Sequence, residues 1–217
     1  MKATINIPES LSEITLAQYQ KWYKISETNE DDNFLKQKMI EIFCNIPLNN
    51  VLMIRANDID KITQNINTLF EKEPKFIDRF VKKGIKFGFI PKLDEITFGE
   101  YVDLDTYLND WDNIHKAMNV LYRPITIERK NTYLIEDYDG SDVYDLKDIT
   151  LDIVFGCIVF FWNLKKELWK HILKYLTNHK EIVLPQQKLD LMKNGLGINQ
   201  FMDWHKVMSE GLMKLQT

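Results

Sequence analysis

The sequence has little cysteine, and it lacks the short motifs of the common enzyme families. Only two of its 217 residues are cysteines, Cys44 and Cys157. Each lies inside an apolar helical pattern, so we expect two buried thiols in a reducing compartment. The chain contains no GxxxxGK[ST] phosphate loop, no GxSxG nucleophile elbow and no GxGxxG dinucleotide fingerprint. We therefore expect a protein that is not an enzyme and that needs no cofactor.

A basic excess and a long apolar run are also missing. The formal net charge of −4 and the isoelectric point near 5.6 argue against a nucleic-acid-binding surface. The most apolar stretch, residues 151–164, is shorter than the roughly 20 residues that span a bilayer, and it contains Asp152 and Asn163. Residues 1–8 have no apolar run after the first lysine, unlike a signal peptide. These features predict a cytoplasmic protein that binds neither nucleic acid nor membrane.

The chain does contain a repeated phrase, a short sequence that occurs twice in full and once in part. EITLAQY at residues 13–19 returns as EITFGEY at residues 95–101, and DITL at residues 148–151 repeats its first half. In both full copies a threonine is followed three residues later by Gln or Glu, which is the capping-box pattern of a helix N-terminus. The phrase therefore predicts where helices begin. The predicted N-caps are Thr15, Thr97 and Thr150.

Apolar spacing and turn residues predict the other elements. With 45% apolar and 12% aromatic residues, the chain can bury a sizeable core without disulfides or metal. Helical spacing and capping residues predict helices, and aromatic or β-branched residues flanking a turn predict hairpins. The predicted helices are 15–27, Asp32 or Asn33 to 45, 57–71, 98–122 with a break near Asn109, 150–178, 186–193 and 198–215. The predicted β elements are a strand at 2–7 and hairpins over 76–90, turning at Lys83-Gly84, and over 125–135.

These elements predict a mainly helical α+β fold with two small β-hairpins and a helical core around the long 150–178 helix. No linker is long enough, or poor enough in hydrophobic residues, to require two domains. We therefore expect one domain over residues 1–217, in which residues 1–73 can form a semi-independent helical part.

An acidic loop at residues 136–147 is the best candidate for a metal site, but it does not match the calcium-binding loop of an EF-hand. An EF-hand loop starting at Asp137 would place Gly140 at position 4 instead of 6, and it would end on Asp148 instead of a bidentate Glu. Asp-Gly is turn chemistry in its own right, so we expect a solvated turn. The histidines lack the i, i+4 spacing of a helical zinc site and are expected to be helix residues. They are His115, His171, His179 and His205.

Three acids in the segment FGEYVDLD could also be read as metal ligands or as an acid/base cluster. Glu100, however, is the second member of a capping box. Asp103 and Asp105 lie early in the same helix, where negative charge interacts favourably with the helix dipole. We therefore predict structural roles for all three, no catalytic residues and no metal site. An enzyme that uses these acids or the acidic loop with a divalent metal is the least favoured alternative.

The last predicted helix, residues 198–215, has a broad apolar surface that is rich in methionine. Such a helix can dock into the core or bind a partner, because methionine side chains adapt to varied surfaces. We take it as the candidate partner-binding site. The residues that form this surface are Phe201, Met202, Trp204, Met208, Leu212 and Met213.

Two segments resemble small proteins of tailed bacteriophages, namely the tail-assembly chaperones and related virion-assembly factors. The first is ITFGEYVDLD at residues 96–105, and the second is AMNVLYRPI at residues 117–125. The apolar helix at 153–162 and the NGLG turn at 194–197 fit the same layout. The likeness covers residues 95–165 well and the rest of the chain loosely.

The resemblance implies a non-enzymatic protein that binds a phage virion or tail protein and shields it until the tail polymerises. Such a factor would act in the host cytoplasm during assembly. The alternative is a structural ring or connector subunit, which would form a homo-oligomer and remain in the virion. The resemblance implies protein–protein interaction in both cases.

Overall fold

The computed structural model describes residues 5–130, 132–161 and 163–164. It confirms the predicted fold class, because it combines helices with one four-stranded antiparallel sheet. The helices are α1 (Leu16–Thr28), α2 (Asp32–Phe43), α3 (Leu48–Val51), α4 (Ala56–Phe70), α5 (Phe98–Tyr107), α6 (Ile114–Leu121) and α7, which begins at 151 and is described through 161 and at 163–164. The strands are β1 (Arg79–Lys82), β2 (Ile85–Phe89), β3 (Tyr122–Arg129) and β4 (Thr132–Ile135). Short 3-10 turns occupy Leu11–Glu13 and Leu93–Glu95.

Both predicted capping boxes are present. The Thr15 hydroxyl accepts from the Gln18 N–H at 3.2 Å, and the Gln18 side chain accepts from the Thr15 N–H at 2.9 Å. Thr97 and Glu100 make the same two hydrogen bonds at 3.3 and 2.6 Å. Each box therefore satisfies two backbone N–H groups that a helix start would otherwise leave without a partner.

The first copy of the repeated phrase and its half-copy pair with each other. Thr15 and Thr150 form an antiparallel β-bridge. The Leu16 N–H donates to the Ile149 carbonyl at 2.8 Å, and the Leu151 N–H donates to the Ile14 carbonyl at 2.9 Å. The residues that start α1 and α7 are thus tied to one another by backbone hydrogen bonds.

The two predicted hairpins join in a single sheet of order β1-β2-β3-β4. Lys83 and Gly84 connect β1 to β2 with φ angles of 50° and 82°, the positive pair that a tight two-residue hairpin turn requires. Phe87 lies opposite Pro124 in the antiparallel pairing of β2 with β3, and this pairing links the hairpins.

An aromatic cluster around Tyr19 forms the helical core of the unit Met1–Gly156. Tyr19 is 1% exposed, and its ring centroid lies 5.0 Å from that of Trp111 and 5.3 Å from that of Phe155. Phe70 at the end of α4 lies 5.9 Å away. The first turns of α7 are therefore part of this core, as predicted, while residues 165–178 of the predicted helix lie outside the described residues.

The structure corrects several predicted boundaries. Residues 5–8 have no regular secondary structure, so the strand predicted at 2–7 is wrong for its described part. Sequence alternation alone does not provide a partner strand. The short helix α3 is not among the predicted elements; its N-cap is Pro47, and proline suits the start of a helix. The N-cap of α2 is Asp31, and α4 begins at Ala56, so both helices start slightly earlier than predicted.

The second compact unit is Cys157–Thr217, of which residues 157–161 and 163–164 are described, all helical. Within it, the rings of Phe160 and Phe161 lie 5.6 Å apart in an edge-to-face arrangement. Cys44 and Cys157 are both buried, as predicted. Among the described helices, none is long and apolar enough to cross a membrane.

Candidate functional site

A buried ion pair joins α5 to the start of β3. Nη2 of Arg123 lies 2.7 Å from Oε1 of Glu100, and the two residues are only 8% and 4% exposed. Glu100 belongs to the TFGEY segment and Arg123 to the LYRP segment, so the two motifs on which the phage resemblance depends are in direct contact. The other oxygen of Glu100 accepts from the Thr97 N–H in the capping box. The carboxylate is therefore held on both sides.

Tyr138 of the acidic loop covers this ion pair. Its ring centre lies 5.7 Å from the Arg123 guanidinium carbon, and its hydroxyl donates to Asp103 of α5. Burial and the hydrogen bond to Asp103 both raise the pKa of Tyr138 well above its ordinary value. The loop is thus anchored on α5 through a neutral phenol. Asp103 is the sixth residue of α5, beyond the first turn in which a negative charge interacts with the helix dipole, and its contact is instead with Tyr138.

A cavity of about 480 Å³ opens beside the ion pair. Its walls come from the approach to α5, from Arg123, from the end of β4 and from the acidic loop. Four acidic and two basic side chains line it, so its formal charge is −2. These are Glu95, Glu100, Glu136, Asp137, Lys92 and Arg123. Lys92 and Glu95 pair with each other at 2.6 Å, so the acids that remain in excess are those of the loop.

Around this cavity, Nε of Arg123 is buried and has no hydrogen-bond partner among the described residues. At the loop side, the Tyr144 hydroxyl donates to Glu136, and this bond together with partial burial raises the pKa of Tyr144 to about 12. That bond lies within the loop, and the loop is joined to the sheet by the Glu136 N–H, which donates to the Pro124 carbonyl of β3 at 2.9 Å.

The outer face of α5 is apolar and exposed. Phe98 is 81% exposed, Tyr101 55% and Val102 42%, at the i, i+3, i+4 spacing of one helix face. Asp105, one turn further, is exposed on the same face. We call these four residues the α5 surface. The opposite side of the helix is the buried one, because Glu100 and Leu104 point inward.

The surroundings of the α5 surface are acidic. Between residues 93 and 115 the chain has seven acidic residues and no lysine or arginine. Arg123 compensates Glu100, and Lys92 compensates Glu95. In contrast, Asp94 and Asp105 are exposed and form no ion pair with any described residue. The seven acids are Asp94, Glu95, Glu100, Asp103, Asp105, Asp110 and Asp112.

The predicted partner-binding residues of the last helix lie outside the described residues, as do three of the four histidines. The six are Phe201, Met202, Trp204, Met208, Leu212 and Met213, and the histidines are His171, His179 and His205. His115 in α6 is described, is 6% exposed, and has its pKa lowered mainly by burial and next by Lys147. In the part of the chain that the structure describes, no group of three or more His, Cys, Asp or Glu side chains could hold a metal ion.

Sequence reasoning missed Arg123, Tyr138 and the α5 surface. An arginine beside apolar residues, as in LYRP, is the signal of a buried cation that needs a carboxylate. Phe98, Tyr101 and Val102 have the spacing of a core-facing stripe, yet the helix buries its other side. The absence of any basic residue from 93 to 115 was the available signal for an acidic surface.

Comparisons of the chain with protein-family models, with curated proteins and with solved structures found no match. The function of the site is therefore inferred from its own geometry and from the motifs that the ion pair joins.

Proposed function

We propose that this chain is a non-enzymatic assembly factor of a tailed bacteriophage, similar to the tail-assembly chaperones, which binds a virion protein in the host cytoplasm. The observation that carries the proposal is the exposed apolar face of α5, formed by Phe98, Tyr101 and Val102. It lies within residues 96–105, one of the two segments that resemble these factors.

Physical chemistry supports a binding role for this face. Single exposed apolar residues are common on protein surfaces, but three on one helix face form a contiguous patch of the kind that marks interaction sites. An apolar helix face is also one of the recurring ways in which proteins recognise a partner. The net charge of −4 favours solubility before the partner is bound.

The ion pair between Glu100 and Arg123 supports the same proposal, because it fixes how α5 is presented. With Glu100 held inward by Arg123 and by the capping box, the opposite face of the helix must point outward. The motifs of the resemblance thus act together to expose the apolar side chains.

Quantitative mass spectrometry of purified particles and of lysate from cells infected with the encoding virus tests the proposal. A transient assembly factor is expected to be abundant in the lysate, to co-purify there with a virion protein, and to be absent from particles. Presence in particles at a fixed multiple of the portal copy number would instead identify a ring or connector subunit. Absence from particles together with no virion protein bound in the lysate would contradict the proposal.

A further inference from the structure

We propose that the α5 surface docks a basic amphipathic segment of the client protein, in which lysine or arginine residues flank a few apolar side chains. This inference rests on the proposed function, since it specifies the chemistry of the partner which that function requires. The observation that carries it is the position of the exposed apolar stripe formed by Phe98, Tyr101 and Val102. The stripe lies within residues 93–115, which contain seven acidic residues and no lysine or arginine.

Three neighbouring apolar side chains of α5 are exposed to solvent. Phe98 is 81% exposed, and Tyr101 and Val102 lie one turn further along the same face. An apolar side chain of a partner that packs against them would remove this surface from water, which is the main source of affinity in such contacts. The stripe spans little more than one helical turn, so it matches a few apolar positions of a short amphipathic segment.

The acidic side chains of the stretch 93–115 differ in whether they have a partner. Glu100 is compensated by Arg123, and Asp103 accepts from the Tyr138 hydroxyl. Asp105 and Asp94 remain exposed, and neither forms an ion pair with a described residue, although the charge of Asp94 contributes, after Glu95, to the raised pKa of Lys92. These carboxylates are available to a lysine or arginine supplied by the partner.

Among residues 5–164 as far as the structure describes them, the lysines nearest in sequence to the α5 surface already have carboxylate partners. Lys92 pairs with Glu95 at 2.6 Å, and Lys116 pairs with Asp142 at 3.0 Å. A positive charge for the α5 surface must therefore come from outside the described residues, and the proposal assigns it to the client.

The same charges argue against a second copy of this chain as the occupant. A symmetric contact would bring two identical faces together, so the acidic stretch from 93 to 115 would meet itself. Like charges at an interface are unfavourable, and the stretch has no lysine or arginine to offset them. A partner with a basic surface avoids this repulsion.

The test uses the full-length chain and two synthetic amphipathic helices, one of leucine and lysine and one of leucine and glutamate. Fluorescence anisotropy measures their affinity for the wild type and for the variant Phe98→Ser/Tyr101→Ser. The matched control is Val81→Ser/Ile85→Ser, since these residues of β1 and β2 are also exposed, at 67% and 46%. Circular dichroism confirms that both variants fold.

We expect the lysine helix to bind and the glutamate helix not to bind. Phe98→Ser/Tyr101→Ser should lower the affinity for the lysine helix about tenfold or more, which is the loss typical of removing central apolar anchors. The control variant should bind like the wild type. Asp105→Asn should weaken binding a few-fold at low salt, and high salt should remove this difference.

Three results would overturn the proposal. They are equal binding of the two helices, unchanged affinity of Phe98→Ser/Tyr101→Ser, and an equal loss in the control variant. Sedimentation velocity adds a fourth, namely self-association of the wild type that Phe98→Ser/Tyr101→Ser abolishes, because the occupant would then be a second copy.

The two proposals fail separately. If the lysine helix did not bind but a virion protein were still bound in infected lysate, the proposed docking surface would be refuted and the proposed function would stand. A positive titration without any bound virion protein in infected cells would contradict the proposed function and leave the surface chemistry in place.

Discussion

Glu100 and Arg123, which lie in two separate sequence motifs, form one buried ion pair with a separation of 2.7 Å between Oε1 and Nη2. The carboxylate also completes the capping box of α5 with Thr97. A single side chain thus starts a helix, compensates a buried guanidinium and sets which face of α5 is exposed. The organisation of the candidate site depends on this contact.

Removing the charge of Glu100 should destabilise the protein strongly. Glu100→Gln keeps a side chain that can complete the capping box, but it leaves the Arg123 guanidinium buried without a carboxylate. We expect a loss of about 3 kcal/mol in the free energy of unfolding, because breaking one side of a buried pair leaves an uncompensated charge. Urea denaturation followed by circular dichroism measures it.

The matched control is Glu95→Gln, which removes the exposed pair with Lys92, whose side chains are 65% and 62% exposed. Such pairs contribute at most about 1 kcal/mol. Equal losses in the two variants would show that the buried pair has no special role.

Replacing a capping threonine should weaken the helix that it starts. Thr15→Ala and Thr97→Ala each remove a hydroxyl that accepts from a backbone N–H, and we expect each to cost about 1 kcal/mol. Thr→Ser at the same positions keeps the hydroxyl and should recover most of the loss. If serine were as destabilising as alanine in urea unfolding, the hydroxyl would not be the stabilising group.

Glycine at position 156 is required by the backbone of a neighbouring segment. A Cβ at Gly156 would lie 2.3 Å from the Lys75 carbonyl oxygen, so Gly156→Ala must displace backbone and should cost about 1–3 kcal/mol or more. Gly99→Ala in α5 is the control, since its Cβ would lie 3.7 Å from the Tyr138 ring in ordinary contact. We expect Gly99→Ala to be neutral or slightly stabilising, because alanine favours helix. A melting temperature of Gly156→Ala as high as that of the wild type would refute this account.

His115 should make the stability of the protein depend on pH. Burial, followed by the charge of Lys147, lowers its pKa below 6.5, so the unfolded chain takes up a proton first as the pH falls. The stability contributed by neutral His115 is present above pH 6.5 and is lost as the pH falls from there towards the folded-state pKa. Between about pH 7.5 and about pH 5.5, the wild type should therefore lose more unfolding free energy than His115→Gln. Parallel curves for the two proteins would contradict this.

The local parts of the fold could be predicted from sequence because they depend on residues a few positions apart. Thr15 with Gln18 and Thr97 with Glu100 define two helix starts, and Lys83-Gly84 defines a hairpin turn. The physical cause lies within each short segment.

The long-range parts could not be predicted in this way. Nothing in the phrase around Thr15 indicates that it pairs with Thr150, because that bridge depends on how distant helices pack. The orientation of α5 is a similar case, since helical periodicity shows an apolar stripe but not which side is buried. The partner of Glu100 decides it, and that partner is in β3.

The central claim is that the chain acts by binding a virion protein through the α5 surface, and photo-crosslinking in cells infected with the encoding virus tests it most directly. A photoreactive amino acid at Tyr101 is compared with the same probe at Ile127, an exposed residue of the sheet. Mass spectrometry then identifies the crosslinked proteins. We predict one virion protein crosslinked from position 101, through a segment rich in lysine or arginine, and not from position 127. No virion protein crosslinked from position 101, or equal crosslinking from both positions, would contradict the account.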